Sequence, residues 1–232
     1  MKLLALDTSS LACSVALQVD STLVQRHEEQ AREHTRMLVP MVRSVLEEAA
    51  IELSALDAIV LGNGPGSFIG MRIAASVAQG LAFGAGLRIV PVSSMAALAA
   101  EVIALEDADV VVVTQDAHMD EVYLGLYSKD DAHLAVPLFD ERLHGQGPVA
   151  ELSQVAGKRR IGAGFGWERY PALAASNQDL LAGMSQRQHP NAKYLLALGA
   201  RDLAAGLAVR PENIVPAYLR QKVAEKPAVG PS

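Results

Sequence analysis

A single cysteine, Cys13, stands in 232 residues. That excludes intramolecular disulfides and any multi-cysteine zinc site, and it fits a reducing compartment. Its place in the alternating segment Ala12 to Val19 reads as a small buried residue rather than a reactive thiol. Aromatic side chains make up only 4% of the chain, so a core has to be assembled mainly from Ala, Val and Leu. Basic residues are in deficit, with 20 Lys and Arg against 26 Asp and Glu for a net charge of −6. No broad positive field is available to hold a phosphate backbone, which favours small molecules or proteins as direct partners. The N-terminus reaches Asp7 before an apolar signal region develops, so a cytoplasmic location is expected. The apolar stretch Ser67 to Leu87 is interrupted by Arg72, Ser76, Gln79 and glycines, which suits a buried helix better than a membrane span.

What is present is an ordered alternation of patterns. Lys2 to Leu6, Ala12 to Val19 and Thr22 to His27 read as three strands, with Asp20-Ser21 as a short hairpin turn. A helical pattern follows from about Glu33 to Ala50. Then come a strand Ala58 to Leu61, a helix Ser67 to Ala85, a strand Arg88 to Val92 and a helix from about Ser94 to Ala104. This βββαβαβα order predicts an α/β fold in which right-handed crossovers set the fourth and fifth strands parallel to the first. Charges at Glu106 to Asp109 suggest a boundary between a lobe 1–105 and a lobe 106–223, with 224–232 as a tail expected to be mobile. The second lobe starts with strands Val110 to Thr114 and Glu121 to Tyr127, is loop-rich over Asp140 to Pro148, and has its clearest later helix at Asn191 to Leu207. It repeats the first lobe only loosely, and its last helix is a candidate to return to the first lobe.

The most specific local signal is Gly62-Asn63-Gly64-Pro65-Gly66-Ser67-Phe68-Ile69-Gly70, which joins an apolar strand to an apolar helix. One reading is an anion or nucleotide cradle in which Gly64 and Gly66 bring the backbone close and Ser67 caps the helix, with Asp7 and Asp116 at nearby strand ends. The other is a tight turn packed closely against its neighbours. Named catalytic patterns fail. Met71 follows Gly70 where a Walker A loop needs lysine, no acid ends the strand after the loop, and GxSxG does not fit around Ser67. His27-Glu28-Glu29-Gln30-Ala31 lacks the second histidine of HExxH. Asp7, Asp116 and Asp120 are candidates either to hold a hydrated magnesium ion or to cap turns.

Two helices say more about partners. Met37, Leu38, Met41, Val42 and Val45 lie on a wide apolar stripe, and the second helix is apolar nearly all round, with Met71, Ala74, Val77 and Ala78 among its apolar positions. Either a second protein covers these residues or the rest of the chain does.

The segments LLALDTSSLACSVAL, EHTRMLVPMV, GNGPGSFIGMRI, QDAHMDEVYLGLY and PAYLRQKVAEK run in order over almost the whole chain and together resemble the TsaB (YeaZ) family of the bacterial tRNA threonylcarbamoyladenosine system. The resemblance implies the actin, sugar-kinase and Hsp70-like (ASKHA) fold of two related lobes. It also implies a non-catalytic scaffold or activator that pairs with the catalytic paralogue TsaD through its N-terminal lobe, is joined by the ATPase TsaE, needs no cofactor, and meets tRNA only within the complex. In TsaD two histidines four apart bind a metal, whereas His34-Thr35-Arg36-Met37-Leu38 keeps only the first, so no metal or catalytic residue is carried over. Ile69, Ala74 and His118 depart from the family pattern, which has threonine, glycine and arginine there. The implied interface centres on Met37, Leu38, Met41, Val42, Val45, Met71, Ala74, Val77 and Ala78. An unpartnered subunit is expected to cover these residues by homodimerising, and a charge at Met41 or Ala74 to abolish TsaD binding while leaving the fold intact. Lys158-Arg159-Arg160, Arg220, Lys222 and Lys226 are candidate tRNA contacts in the complex. The alternative function is a nucleotide-binding kinase or ATPase built on Asp7, Asp116 and the glycine loop; a metallopeptidase is opposed by the missing histidine.

Overall fold

The computed structural model describes residues 1–29 and 33–220. The chain begins with β1 (Lys2–Asp7), β2 (Ala12–Val19) and β3 (Thr22–Glu29), and continues through α1 (His34–Glu48), β4 (Ala58–Gly62), α2 (Phe68–Ala85), β5 (Ile89–Val92) and α3 (Ser94–Leu105). The strands form one sheet in the order β3-β2-β1-β4-β5. β2 is antiparallel to β1 and β3, while β4 is parallel to β1 and β5, as tight hairpins and helical crossovers require.

The later half contains β6 (Val110–Asp116), β7 (Val122–Lys129), β8 (Ala135–Pro137), β9 (Arg142–His144), β10 (Arg160–Ala163), α4 (Phe165–Arg169), α5 (Pro171–Asn177), β11 (Gly183–Met184) and α6 (Ala192–Ala204). Its sheet runs β8-β7-β6-β10-β11, with β9 also pairing to β7. β6–β7 and β7–β8 are antiparallel, whereas β6–β10 and β10–β11 are parallel. Strand order and direction therefore repeat those of the first sheet, a closer correspondence than the sequence suggested. The periodicity missed it because β8, β9 and β11 have only two or three residues each. The stretch expected to be loop-rich contains β9.

The two sheets share one core. Alternation along β1 sends Leu4 and Leu6 to one face, where they meet α1 and α2, and Leu3 and Ala5 to the other, where they meet α6. The inner face of the second sheet, with Val111 and Val113, packs on α3 from the opposite side, while Val110 and Val112 face α4 and α5. Helix α3 lies between two sheets, which is why ten of its residues are buried and why its text is apolar all round. Alanines keep this middle layer thin. Helix α6 approaches β4 so closely that a Cβ at Gly199 would overlap the Val60 side chain. The chain passes from one sheet to the other near residue 106, but the hydrophobic core does not divide there. The tail 224–232 lies outside the described residues.

Candidate functional site

The glycine loop settles first. Asp7 ends β1 with its carboxyl fully buried: Oδ1 accepts from Ser9 N and Ser9 Oγ, both at 2.8 Å, and Oδ2 accepts from Ser94 Oγ at 2.5 Å. Burial raises its pKa, against the opposing pull of those donors. Three loop N–H groups are bonded internally: Gly64 N donates to Ser94 Oγ (3.0 Å), Ser67 N to Ser9 O (2.6 Å) and Gly70 N to Ser67 Oγ (3.2 Å). A Cβ at Gly62 would overlap Asp7, at Gly66 the Ser9 carbonyl, and at Gly70 the Thr8 carbonyl. The loop is thus pressed against the β1–β2 turn, as the close-packing reading expects. Ser67 is the cap of α2, as its position indicated.

Asp116, at the end of β6, accepts from Tyr170 Oη at 2.7 Å and His118 N at 2.8 Å, and burial together with this carboxylate pushes the tyrosine pKa up to about 12. Asp7, Asp116 and Asp120 are not gathered: among the described residues no group of three or more His, Cys, Asp or Glu side chains is placed to hold a metal ion. Asp120 is instead part of a tight β6–β7 turn in which His118, Met119 and Asp120 all have positive φ. Cys13 is buried, and desolvation followed by the charge of Asp7 pushes its thiol up to about 12, so it is an inert core residue.

A cleft of about 410 Å³ opens where the two sheets' strand ends meet. Its first wall carries Ser9, Leu11 and His34 with the rim of the glycine loop; its second carries Gln115, Asp116, Phe165 and His189. His34 and His189 are each only 8% exposed. Sequence reasoning missed His189 and Phe165, since neither sits in a pattern that separates it from its neighbours.

The helix faces require a correction. Leu38, Met41, Val42, Val45, Ala74 and Ala78 are buried inside the chain, in the core beneath the first sheet, and Met71 is buried against Gly64 of the loop. Small residues at Gly70, Ala74, Ala78 and Ala82 turn inward because they let α2 lie close to the strands. A charge at Met41 or Ala74 would therefore strike the core, contrary to the expectation that the fold would survive it. Met37 and Val77 alone of the expected set remain part-exposed. The solvent side of α2 carries a different stripe at four-residue spacing: Ile69 (70% exposed), Ile73, Val77 and Leu81, with Phe83 (81% exposed) beyond it. Val39 on α1 adds to it, and two shallow grooves of about 480 and 460 Å³ run along the pair of helices.

The segment after α6 ties the loop after β4 to the turn before β7. Ala217 N donates to Asn63 O, Arg72 Nε donates to Tyr218 Oη at 2.9 Å, and the Arg72 guanidinium lies 3.7 Å from the Phe68 ring centroid. Arg220 is mostly buried and donates to Glu121 at 2.6 Å, while Arg160 donates to Leu152 O. These two arginines are internal ties rather than the free tRNA contacts the sequence suggested; Lys158 and Arg159 are exposed, and Lys222 and Lys226 lie outside the described residues.

Comparison with known proteins gives a consistent result. The family TsaD: tRNA N6-adenosine threonylcarbamoyltransferase matches residues 22–228. The tRNA threonylcarbamoyladenosine biosynthesis protein TsaB of Haemophilus influenzae is 35% identical over 99% of this chain and 98% of its own length. The Escherichia coli (strain K12) protein of the same name is 34% identical over 99% of both. The solved structure of YeaZ from Pseudomonas aeruginosa superposes with a TM-score of 0.84 at 37% identity, covering 94% of this chain and 99% of that one. Sequence coverage from end to end and a shared backbone arrangement place the chain in one group: it belongs to the TsaB (YeaZ) family.

Proposed function

We propose that this chain is a non-catalytic partner subunit in tRNA threonylcarbamoyladenosine biosynthesis, docking on TsaD through the outer faces of α1 and α2, with TsaE joining the pair. The observation that carries this reading is the α2 stripe in which Ile69 is exposed and Ile73, Val77 and Leu81 are only partly covered, extended by exposed Phe83 and by Val39 of α1. The repeated strand order of the two sheets accords with an ASKHA fold, and the strand-end carboxyl of Asp7 is taken up by internal hydrogen bonds from Ser9 and Ser94. Function then rests on scaffolding or activation. The acidic net charge suits a cytoplasmic subunit that leaves tRNA to the complex. Without TsaD, the same stripe is the natural seat of a homodimer contact.

The test uses part-exposed positions. Ile73→Glu and Val77→Glu should each abolish co-elution with TsaD and modification activity in the reconstituted complex while thermal unfolding stays cooperative. Undiminished co-elution of both variants sinks the docking face. Turnover of ATP by the chain alone, measured with magnesium, would sink the non-catalytic role.

A further inference from the structure

From Val209 to Arg220 the chain has one short helical turn, Pro211–Asn213, yet it is tied every few residues to the first lobe. Val209 pairs with Ile89 at the edge of β5, the Gln79 side chain donates to Pro211 O at 3.0 Å, and the Asn63 side chain donates to Val215 O at 3.0 Å. Ala217 and Tyr218 follow with the bonds to Asn63 and Arg72 already described. Ile214 supplies an apolar anchor, buried in the core of the first sheet. Arg220 then crosses to the second lobe. Its side chain is only 13% exposed, and its guanidinium donates to His118 O at 3.2 Å, to Glu121 Oε2 at 2.6 Å and to Met119 Sδ at 3.5 Å.

All three acceptors belong to the β6–β7 turn, whose backbone is unfavourable by itself. His118, Met119 and Asp120 have φ of 59°, 53° and 59° in succession, a left-handed run without a glycine. Strain of this kind persists only where the surroundings over-determine the conformation. Within the turn, His118 N donates to Asp116 Oδ1 and Glu121 N to His118 O. Arg220 adds a bridge from outside, joining the carbonyl where the left-handed run begins to the carboxylate just past its end. A guanidinium suits this bridge because its donors diverge in a fixed fork, and a cation taken out of water is costly unless its bonds are made.

The bridge lies over an opening. A narrow space of about 80 Å³ separates Gly66 and Met71 from Ala117 and Met119, and Tyr218 and Arg220 line it as well. Gly66, Ser67, Asp116 and His118 line both this space and the cleft of about 410 Å³, so the two adjoin. We propose that 215–220 is a strap closing this end of the cleft, with Arg220 as its latch. While the guanidinium is seated, the turn is held against the glycine loop; when it leaves, the left-handed run relaxes and the narrow space opens into the cleft. The core around α3 and α6 stays packed, so the motion is confined to the turn and the strap. This goes beyond the partner-subunit reading and does not rest on it, because the latch is built from this chain alone.

The lone cysteine permits a direct test. Cys13 is buried with its thiol pushed up to about 12, so it reacts little with N-ethylmaleimide in the folded chain, and Ala117, 2% exposed beside the narrow space, can carry a reporter. Labelling of the full chain bearing Ala117→Cys should be slow. Adding Arg220→Met, which keeps an apolar stem without donors, should speed it roughly tenfold, as loss of a hydrogen bond to a charged group implies. In the chain without the reporter, Arg220→Met should accelerate amide hydrogen exchange at Ala117 and Glu121 by a similar factor. Val111 and Tyr127, a facing pair in β6 and β7, should keep their protection. Should Arg220→Met fail to fold, Glu121→Gln, which removes one part-exposed charge from the bridge, should speed labelling roughly threefold. Labelling and exchange that stay at the parent rates would overturn the latch. Equal acceleration at Val111 and Tyr127 would overturn it too, because Arg220 would then support only the global fold.

Discussion

Glycines 70 and 80 both lie in α2, yet alanine at the two sites should have opposite effects. At Gly70 a Cβ meets the Thr8 carbonyl, a backbone atom of the β1–β2 turn, while Thr8 Oγ1 donates to Gly70 O at 2.7 Å. Relief requires moving α2 or β1, and overpacking of this kind costs about 1–3 kcal/mol. At Gly80 nothing lies within 4 Å of a new Cβ, and replacing glycine in an exposed helix interior gains about 0.5–1 kcal/mol. Chemical denaturation of Gly70→Ala and Gly80→Ala should therefore bracket the parent, with destabilisation by Gly80→Ala counting against this account. The glycine spacing was legible in the sequence, and so were the two roles it allowed. The close packing itself was not, because it depends on Ser94 and the Thr8 and Ser9 carbonyls, which reach the loop only through the fold. The cleft histidines were illegible for the same reason: His34 and His189 come from opposite ends of the chain.

Helix α2 shows what periodicity reveals at the next scale. Its limits follow from local chemistry: Ser67 Oγ accepts from Gly70 N at the start, and Gly86, at φ 67°, closes the end by donating to the Phe83 and Ala82 carbonyls. Ser67→Ala should cost about 1 kcal/mol through the lost cap, read as a lower denaturation midpoint with unchanged slope. A loss above about 3 kcal/mol would mean that Ser67 does more than cap. The strands and helices of the first lobe were predicted within a few residues because each repeats its pattern over several turns or alternations. Which side of α2 faces the sheet was misjudged. Large side chains and small ones both count as apolar, but the close approach of the helix to the strands selects Ala74 and Ala78 for the inside and leaves Ile73 and Val77 at the boundary. The short strands of the second sheet gave no period to read, although pairing with β6, β7 and β10 stabilises them once the fold is formed.

For the molecule as a whole, the scarcity of aromatics and the abundance of alanine fit a layered stack in which α6 on the first sheet packs against α3 on the second. The same layer encloses carboxyl groups, and these set the dependence of stability on pH. Burial raises Asp7, Glu101 and Glu141 above the ordinary carboxylate range. Each group holds its proton in the native state after the unfolded chain has released it, so its contribution is full below about pH 4 and is lost as pH rises through the raised native value. His189 has the opposite sign: its lowered pKa gives a contribution present above about pH 6.5 and lost as pH falls toward the native value. Glu141 isolates the first effect, because its Oε1 accepts from both Ser93 Oγ and Tyr127 Oη, and a glutamine oxygen keeps both bonds without the charge. Glu141→Gln should therefore gain stability relative to the parent as pH rises, melting close to or below it at pH about 4.5 and above it at pH about 8. Thermal melts across that interval measure the difference directly. A gap that shrinks or reverses with rising pH would mean that the Glu141 carboxylate is stabilised in its charged form, and that the junction of α3 with the second sheet is wetter than its packing implies.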